Sequence, residues 1–315
     1  GPGIAPETPI FDAFFSTTVS GGNHSPFIRG QSQVVIDDRD SLLRWTLGDV
    51  FQGSGTLGGG AFLAGITLRR ELSLDPYLVT RPGLAFEGAT RAPGTLEIYI
   101  DDALVRRLDV PAGTFQLDDL PIPTRSGNAR YVLRDALGGT QTFERPYAMT
   151  SDLLDPGLHQ YTYSVGVERT SLATESFEYG QPVALGRHRV GLTSNLTLGW
   201  RAELAPLAGL ASGGVEATML LPFGKVDLGL HASTEQHEGA GVAGYLAWTL
   251  PGPGVNLSLY ALGRSDAYQQ LGLDPTVDRH LLETGGIIGW NADPLHGSIE
   301  GRFSRSRDGL EVARG

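Results

Sequence analysis

The sequence predicts an all-β protein in which a small antiparallel β-sandwich is inserted between longer alternating strands. Three observations carry this. Residues 82–146 hold short apolar/polar runs bounded by Pro82 and Pro146. The segments on either side repeat a strict period of two. The 315 residues include 44 glycines and 19 prolines, which suits many turns and disfavours long helices.

Taken from the N-terminus, a strand is expected from Ile10 to Val19, followed by a turn at Gly21-Gly22-Asn23. Gly30 to Asp37 and Leu42 to Val50 then form a hairpin across the turn Asp37-Asp38-Arg39-Asp40. Phe62, Ala64, Ile66 and Leu68 share one strand face, and Thr67 and Arg69 lie on the other. Asp75-Pro76 breaks the pattern just before the insert.

Inside the insert, Leu96, Ile98 and Ile100 alternate with Glu97 and Tyr99 ahead of an Asp101-Asp102 turn. Val132 to Ala136 leads into a Gly138-Gly139 turn and a return strand through Phe143. One face of each strand belongs to a small core of its own.

Beyond the insert the alternation is clearest. Tyr161, Tyr163, Val165 and Val167 oppose Gln160, Thr162, Ser164 and Glu168, and Leu196, Leu198, Trp200, Ala202 and Leu204 oppose Asn195, Thr197, Arg201 and Glu203. Val226, Leu228, Leu230 and Ala232 oppose Lys225, Asp227 and His231; Val255, Leu257, Leu259 and Ala261 oppose Asn256, Ser258 and Arg264. Turns fall at Leu221-Pro222-Phe223-Gly224 and Pro251-Gly252-Pro253-Gly254.

Such strands suit a sandwich or a barrel. A sandwich hides its apolar face, whereas an outer-membrane barrel turns it to lipid and keeps a wet, polar lumen. Two details favour the barrel. Small apolar residues and glycines mix on the would-be lipid face, and Trp200, Trp248, Tyr245 and Tyr260 are placed for an interfacial aromatic girdle.

Composition excludes several function classes. A net charge of −11 disfavours nucleic acid as a partner. With no cysteine there is neither a disulfide framework nor a thiolate metal site. No run of eighteen apolar residues forms a transmembrane helix, a finding silent on barrel strands of about ten residues. Gly53-Ser54-Gly55-Thr56-Leu57-Gly58 matches a dinucleotide fingerprint, but Gly59, Gly60 and an alternating segment follow where a helix N-terminus is required, so a glycine-rich strand bend is expected. Asp37-Asp38, Asp101-Asp102 and Asp118-Asp119 read as solvated turn acids rather than an acid–base pair. The histidines, His231 and His237 included, lack a metal-binding spacing, and G-x-S-x-G is absent.

The strings PGLAFEGATRAPGTLEIYIDD, VPAGTFQLDDL and RDALGGTQTFERPY stand in this order, flanked by WTLGDVFQGSG and GRHRVGLTSNLTLGW. Together they resemble the outer-membrane ushers of the chaperone–usher pathway, over residues 30 to 260. The resemblance implies a partial large antiparallel transmembrane β-barrel with an inserted β-sandwich plug. Residues 1–81 would be the N-terminal part of the barrel, 82–146 the plug, and 147–315 continuing barrel strands. About four strands before the insert and about nine after it cannot close a ring of the two dozen expected in this family, so further strands are expected on both sides. The chain, without a signal peptide, reads as an excised portion of a longer protein.

By the same resemblance the protein is no enzyme and needs no cofactor, metal or nucleotide. It sits in the bacterial outer membrane, among lipid, and passes pilus or spore-coat-like subunits delivered as periplasmic chaperone–subunit complexes, with the plug gating the lumen. Donor-strand exchange, in which one subunit's extension completes its neighbour's sheet, drives growth. The domains that dock chaperones have no counterpart here. The expected plug core is Ile98, Ile100, Phe115, Leu117, Val132 and Phe143, and the expected plug–lumen polar contacts join Arg91, Arg106, Arg107 and Arg134 to Glu168 and Glu203. Two other readings remain: another outer-membrane channel or receptor with an inserted domain, and a soluble surface adhesin or binding module.

Overall fold

Period-two alternation organises nearly the whole chain into strands, because it gives each pleated segment one apolar and one polar face. The computed structural model describes residues 11–22, 25–53, 55–80, 84–90, 92–100, 103–120, 126–135, 138–148, 153–170, 176–250, 255–272, 280–292, 295–306 and 311–314. Pro82, Arg91, the Asp101-Asp102 turn, Asn23 and the Pro251–Gly254 turn lie outside them.

Four strands precede the insert: β1 (Phe11–Gly22), β2 (Ser25–Asp38), β3 (Leu43–Gly53) and β4 (Gly60–Arg70). The insert supplies β5 (Leu84–Thr90), β6 (Gly94–Ile100), β7 (Ala103–Val110), β8 (Gly113–Leu120), β9 (Ser126–Asp135) and β10 (Thr140–Ala148). After it come β11 (His159–Arg169), β12 (Tyr179–Thr193), β13 (Leu196–Ala205), β14 (Leu210–Leu221) and β15 (Gly224–Glu235). The chain continues through β16 (Gly239–Leu250), β17 (Val255–Arg264), β18 (His280–Ala292), β19 (Leu295–Ser306) and β20 (Glu311–Arg314).

Fourteen of these form one antiparallel sheet in the order β1-β2-β3-β4-β11-β12-β13-β14-β15-β16-β17-β18-β19-β20. β4 pairs directly with β11, so the large sheet runs past the insert as though it were absent. The insert builds two sheets of its own, β10-β9-β6-β7 and β5-β8. Asp118 and Asp119, expected in a turn, lie within β8.

The large sheet has its faces reversed relative to a soluble sandwich. Thr197, Arg201 and Glu203 of β13 are buried, while Leu198, Trp200 and Leu204 on the alternate positions are exposed, Trp200 to 44%. The same holds along β14 and β15, where Ser212, Glu216, Thr218, His231 and Ser233 are buried and Val215 and Leu230 are exposed, Leu230 to 70%. This is the arrangement of a barrel wall with a polar inside and an apolar outside. Leu228 pairs with Ala217 and Leu257 with Leu250, on that outer face.

Two of the four expected girdle aromatics are misplaced. Trp200 faces outward and Trp248 pairs with Val226 on the outer face, but Tyr245 and Tyr260 line an internal cavity. β16 reads GAGVAGYLAWTL, apolar on both faces, so period alone assigns no side to Tyr245.

In the insert, register pairs Leu96 with Leu133 and Ile98 with Tyr131, placing these four buried side chains on one face. Val132 is buried on the opposite face, beside its partner Glu97. Its assignment to the Ile98 core is thereby corrected: the run Tyr131-Val132-Leu133 is apolar at consecutive positions and the alternation is lost. Phe143 pairs with Tyr131 from β10, an end strand of its sheet, and stays 46% exposed, so it caps the core's margin rather than filling it. Ile100, Phe115 and Leu117 lie in β6 and β8, with side chains outside the described residues.

Candidate functional site

The polar face of the large sheet is covered from within by the β3–β4 hairpin. Its two strands pair with each other from Leu43↔Arg70 out to Gly53↔Gly60. Their outer neighbours stop earlier, β2 at Gln33↔Gly48 and β11 at Glu168↔Leu63. Beyond those points the hairpin leaves the wall. Ala61 and Leu63 bury against Val183, Leu185, Ala205, Leu210 and Leu271, and Leu57 at the tip packs with Ala243 and Tyr268. An expected strand bend is therefore an inward-folded tip, and no helix follows the Gly53–Gly58 string.

Glu203 ties this tip down. Its Oε1 accepts from the amide of Gly59 at 3.0 Å and from Nη2 of Arg201 at 3.1 Å. Its Oε2 accepts from the amide of Leu271, in the connection between β17 and β18, at 2.9 Å. Both Arg201 and Glu203 are fully buried, so the charges are kept by their mutual attraction and by these amide donors. Tyr268 donates its hydroxyl to the carbonyl of Leu57 at 2.6 Å, and burial raises its phenol above the ordinary tyrosine range.

Only glycine fits at the tip. A Cβ on Gly58 would collide with the Arg201 guanidinium, and one on Gly59 with the backbone of Leu271. This close approach is the physical use of the Gly58-Gly59-Gly60 run, the one signal in the sequence that could have revealed the hairpin.

Next to the tip, Arg187 pairs with Glu216 at 2.8 Å and lines a cavity of about 430 Å³ with Arg189, Asp227, Tyr245, Tyr260 and Glu283. A second cavity of about 320 Å³ is lined by Glu168, Gln181, Glu235, Gln269 and Gln270. The first lining offers both charge signs beside apolar residues such as Leu246 and Leu262, whereas the second is acidic, with Glu168, Glu235 and Glu238 beside Leu210 and Leu271.

The sequence-predicted ionic partners fall differently from expectation. Arg107 pairs with Glu97 at 2.6 Å and Arg134 approaches the same carboxylate at 3.5 Å, so both serve the insert's own surface. Arg106 is exposed on β7. Glu168 and Glu203 do lie on the covered face of the wall, but Glu203 meets the hairpin, Leu271 and Arg201 rather than an insert arginine. The reason is local: Glu97 lies directly opposite Arg107 on β7 and diagonal to Arg134, two residues beyond its β9 partner Val132, and its carboxylate satisfies both at short range.

The wall is a continuous sheet with a polar covered face and an apolar outside, and a β-sandwich is inserted in the chain between its adjacent strands β4 and β11. The family model described as outer membrane usher protein matches residues 40–205. The chain belongs to the outer membrane usher family. It is 30% identical over 168 residues to the outer membrane usher protein FimC of Bordetella pertussis, covering 53% of this chain and 19% of that protein. It is 28% identical over 155 residues to the F1 capsule-anchoring protein of Yersinia pestis, covering 49% and 18%. The usher chain thus matches about a fifth of the length of these relatives.

Its fold is similar to the translocation pore of the P pilus usher PapC, with a TM-score of 0.54 at 17% identity over 96% of this chain and 69% of that one. It is also similar to a chain of the Escherichia coli P pilus tip assembly intermediate PapC-PapD-PapK-PapG, with a TM-score of 0.67 at 17% identity over 94% and 38%. The usher's barrel wall accordingly belongs to the outer membrane.

Proposed function

We propose that this usher chain forms part of a translocation pore that passes folded pilus or coat-like subunits handed over by a periplasmic chaperone, with residues 82–146 acting as the gate. The observation that carries the reading is the reversal of faces. Arg201, Glu203, Glu216 and His231 point into the sheet's covered side, while Leu198, Val215 and Leu230 point out, where hydrocarbon satisfies them. A polar lumen lets a folded, hydrated subunit slide without sticking to apolar walls. The solved relative that contains PapD, PapK and PapG beside PapC supports chaperone–subunit complexes as the partners.

The gate is proposed for the strands of the insert because they form sheets of their own and leave β4 and β11 paired. A unit with its own core, Leu96, Ile98, Tyr131 and Leu133, moves without unzipping the wall. Its work is transport and assembly, with donor-strand exchange supplying the free energy and no bond chemistry at any residue of this chain. Deleting residues 84–145 from the full-length usher is expected to raise ion conductance in planar bilayers. Unchanged conductance in a correctly inserted protein overturns the gate.

A further inference from the structure

Where the β3–β4 hairpin turns inward, β2 loses its ladder partner on the N-terminal side of Gln33, and β11 loses its own after Glu168, at its last residue Arg169. In a membrane, unpaired backbone groups are costly. The structure fills this gap with side chains. Nη1 of Arg169, the last residue of β11, donates to the carbonyl of Gly30, and its Nη2 donates to the carbonyl of Arg29, both at 2.7 Å. Both acceptors belong to β2, which is separated from β11 in the sheet order by the departing hairpin.

Asp49, the first hairpin residue beyond the β2 ladder, completes the joint. Its Oδ2 receives Arg169 Nη1 at 2.8 Å, Arg29 Nη1 at 2.7 Å and the amide of Ser32 at 2.9 Å. Arg169 and Asp49 are almost wholly buried, at 0% and 2% side-chain exposure. Arg29 reaches on to Ser176 Oγ through its amide and to the Tyr179 hydroxyl through Nη2, each at 3.0 Å.

The fold line itself is made of glycine. Gly48 pairs with Gly65 and Gly65 with Gly166, three glycines abreast across β3, β4 and β11. Gly48 has φ +117°, a conformation that side chains resist, and it marks the last β2 pair. This crease without side chains lies next to the buried ionic joint, where β3 parts from β2, while β4 stays in the β11 ladder two residues further, to Leu63.

We infer that Arg169 and Asp49 are positioning residues for the pore: their joint with Arg29 stands in for the missing backbone ladder and is what allows the hairpin beyond Gly48 to remain folded into the lumen. Arg169 suits the task because its planar fork spans two carbonyls and a carboxylate together. Removing it leaves the buried Asp49 without one of its two guanidinium partners and deprives the Arg29 and Gly30 carbonyls of their donors, which favours the hairpin returning to the gap between β2 and β11. The inference deepens the pore reading and rests on it for the meaning of the interior.

The test is read on the wall. In full-length usher without other cysteines, the Leu57→Cys thiol sits at the buried tip, and its reaction with a membrane-impermeant maleimide reports tip release. Adding Arg169→Gln is expected to accelerate labelling at least about tenfold. Arg169→Lys, which keeps the charge and loses the fork, is expected to fall between. Heat-modifiable migration checks that each variant is a folded barrel, and if Arg169→Gln fails to insert, Arg169→Lys carries the test alone. A folded Arg169→Gln barrel whose thiol stays as protected as in the parent overturns the inference, and so does Arg169→Lys labelling at the parent rate. An usher that exports no subunit yet shields the thiol until Arg169 is changed overturns the function and leaves the joint standing.

Discussion

The amide of Gly59 donates to Oε1 of Glu203 at 3.0 Å, across 144 residues of sequence. That single carboxylate joins the hairpin tip, strand β13 and the β17–β18 connection. Replacing it with Glu203→Ala leaves Arg201 charged and fully buried beside unfilled space. A loss of about 3–5 kcal/mol is expected. The midpoint of heat-modifiable migration measures it, and a midpoint unchanged from the parent contradicts the role assigned to Glu203.

Gly58→Ala tests the same tip from the other side. A methyl group there meets the Arg201 guanidinium, which is held by Glu203 and has little freedom to retreat. Overpacking of this kind costs about 1–3 kcal/mol. Because Gly138 faces open space in its turn, a Gly138→Ala control separates crowding from backbone strain at positive φ. Gly58→Ala is expected to be the more damaging of the two for the barrel, as judged by protease protection of the wall.

The insert should soften in acid. Arg107 first, and then the Tyr99 hydroxyl, hold the Glu97 carboxyl below the ordinary glutamate range. A depressed native value means that the ionised form is the one the fold favours. Its contribution is therefore complete above the ordinary glutamate value, about 4.3, and is lost as pH falls through the lower native value. Amide-exchange protection of Ile98 and Leu133 is expected to drop over that window, and Glu97→Gln is expected to flatten the response. Equal pH profiles in parent and variant refute this.

Outward residues should tolerate bulk and reject charge. Leu230 is 70% exposed on the apolar side of β15. Leu230→Arg is expected to cost about 2–4 kcal/mol of barrel stability if the position lies near the bilayer midplane, and Leu230→Phe close to nothing. Urea titration in lipid vesicles decides between this and a water-facing Leu230, for which arginine is the better tolerated of the two.

Much of the wall was legible in residues such as Tyr163, Trp200 and Leu228, because alternation at clean period two fixes a strand and separates its faces. Alternation fails where a strand is apolar on both sides. In β16 that hid the inward turn of Tyr245, and in β9 it hid the separation of Val132 from Ile98. The hairpin was illegible for a related reason. Ala61 and Leu63 face the interior and Ile66 faces outward, and a sequence does not say that the end of a strand pair has left its sheet. Nor did charge counting pair Glu203 with a glycine amide, since backbone donors carry no letter of their own.

The pairing of β4 with β11 has a consequence for assembly. Arg69 meets Thr162 across 93 intervening steps of chain, 162 minus 69, so joining them costs about 4 kcal/mol of loop entropy if the stretch between is loose. A stretch already collapsed into its own sheets holds both ends within one small body and removes much of that cost. Order of events is thereby written into the topology: residues 84–148 gain by maturing before the wall zips shut around their base, and a lesion at Leu96 or Tyr131 should stall biogenesis of a membrane strand pair that neither residue belongs to.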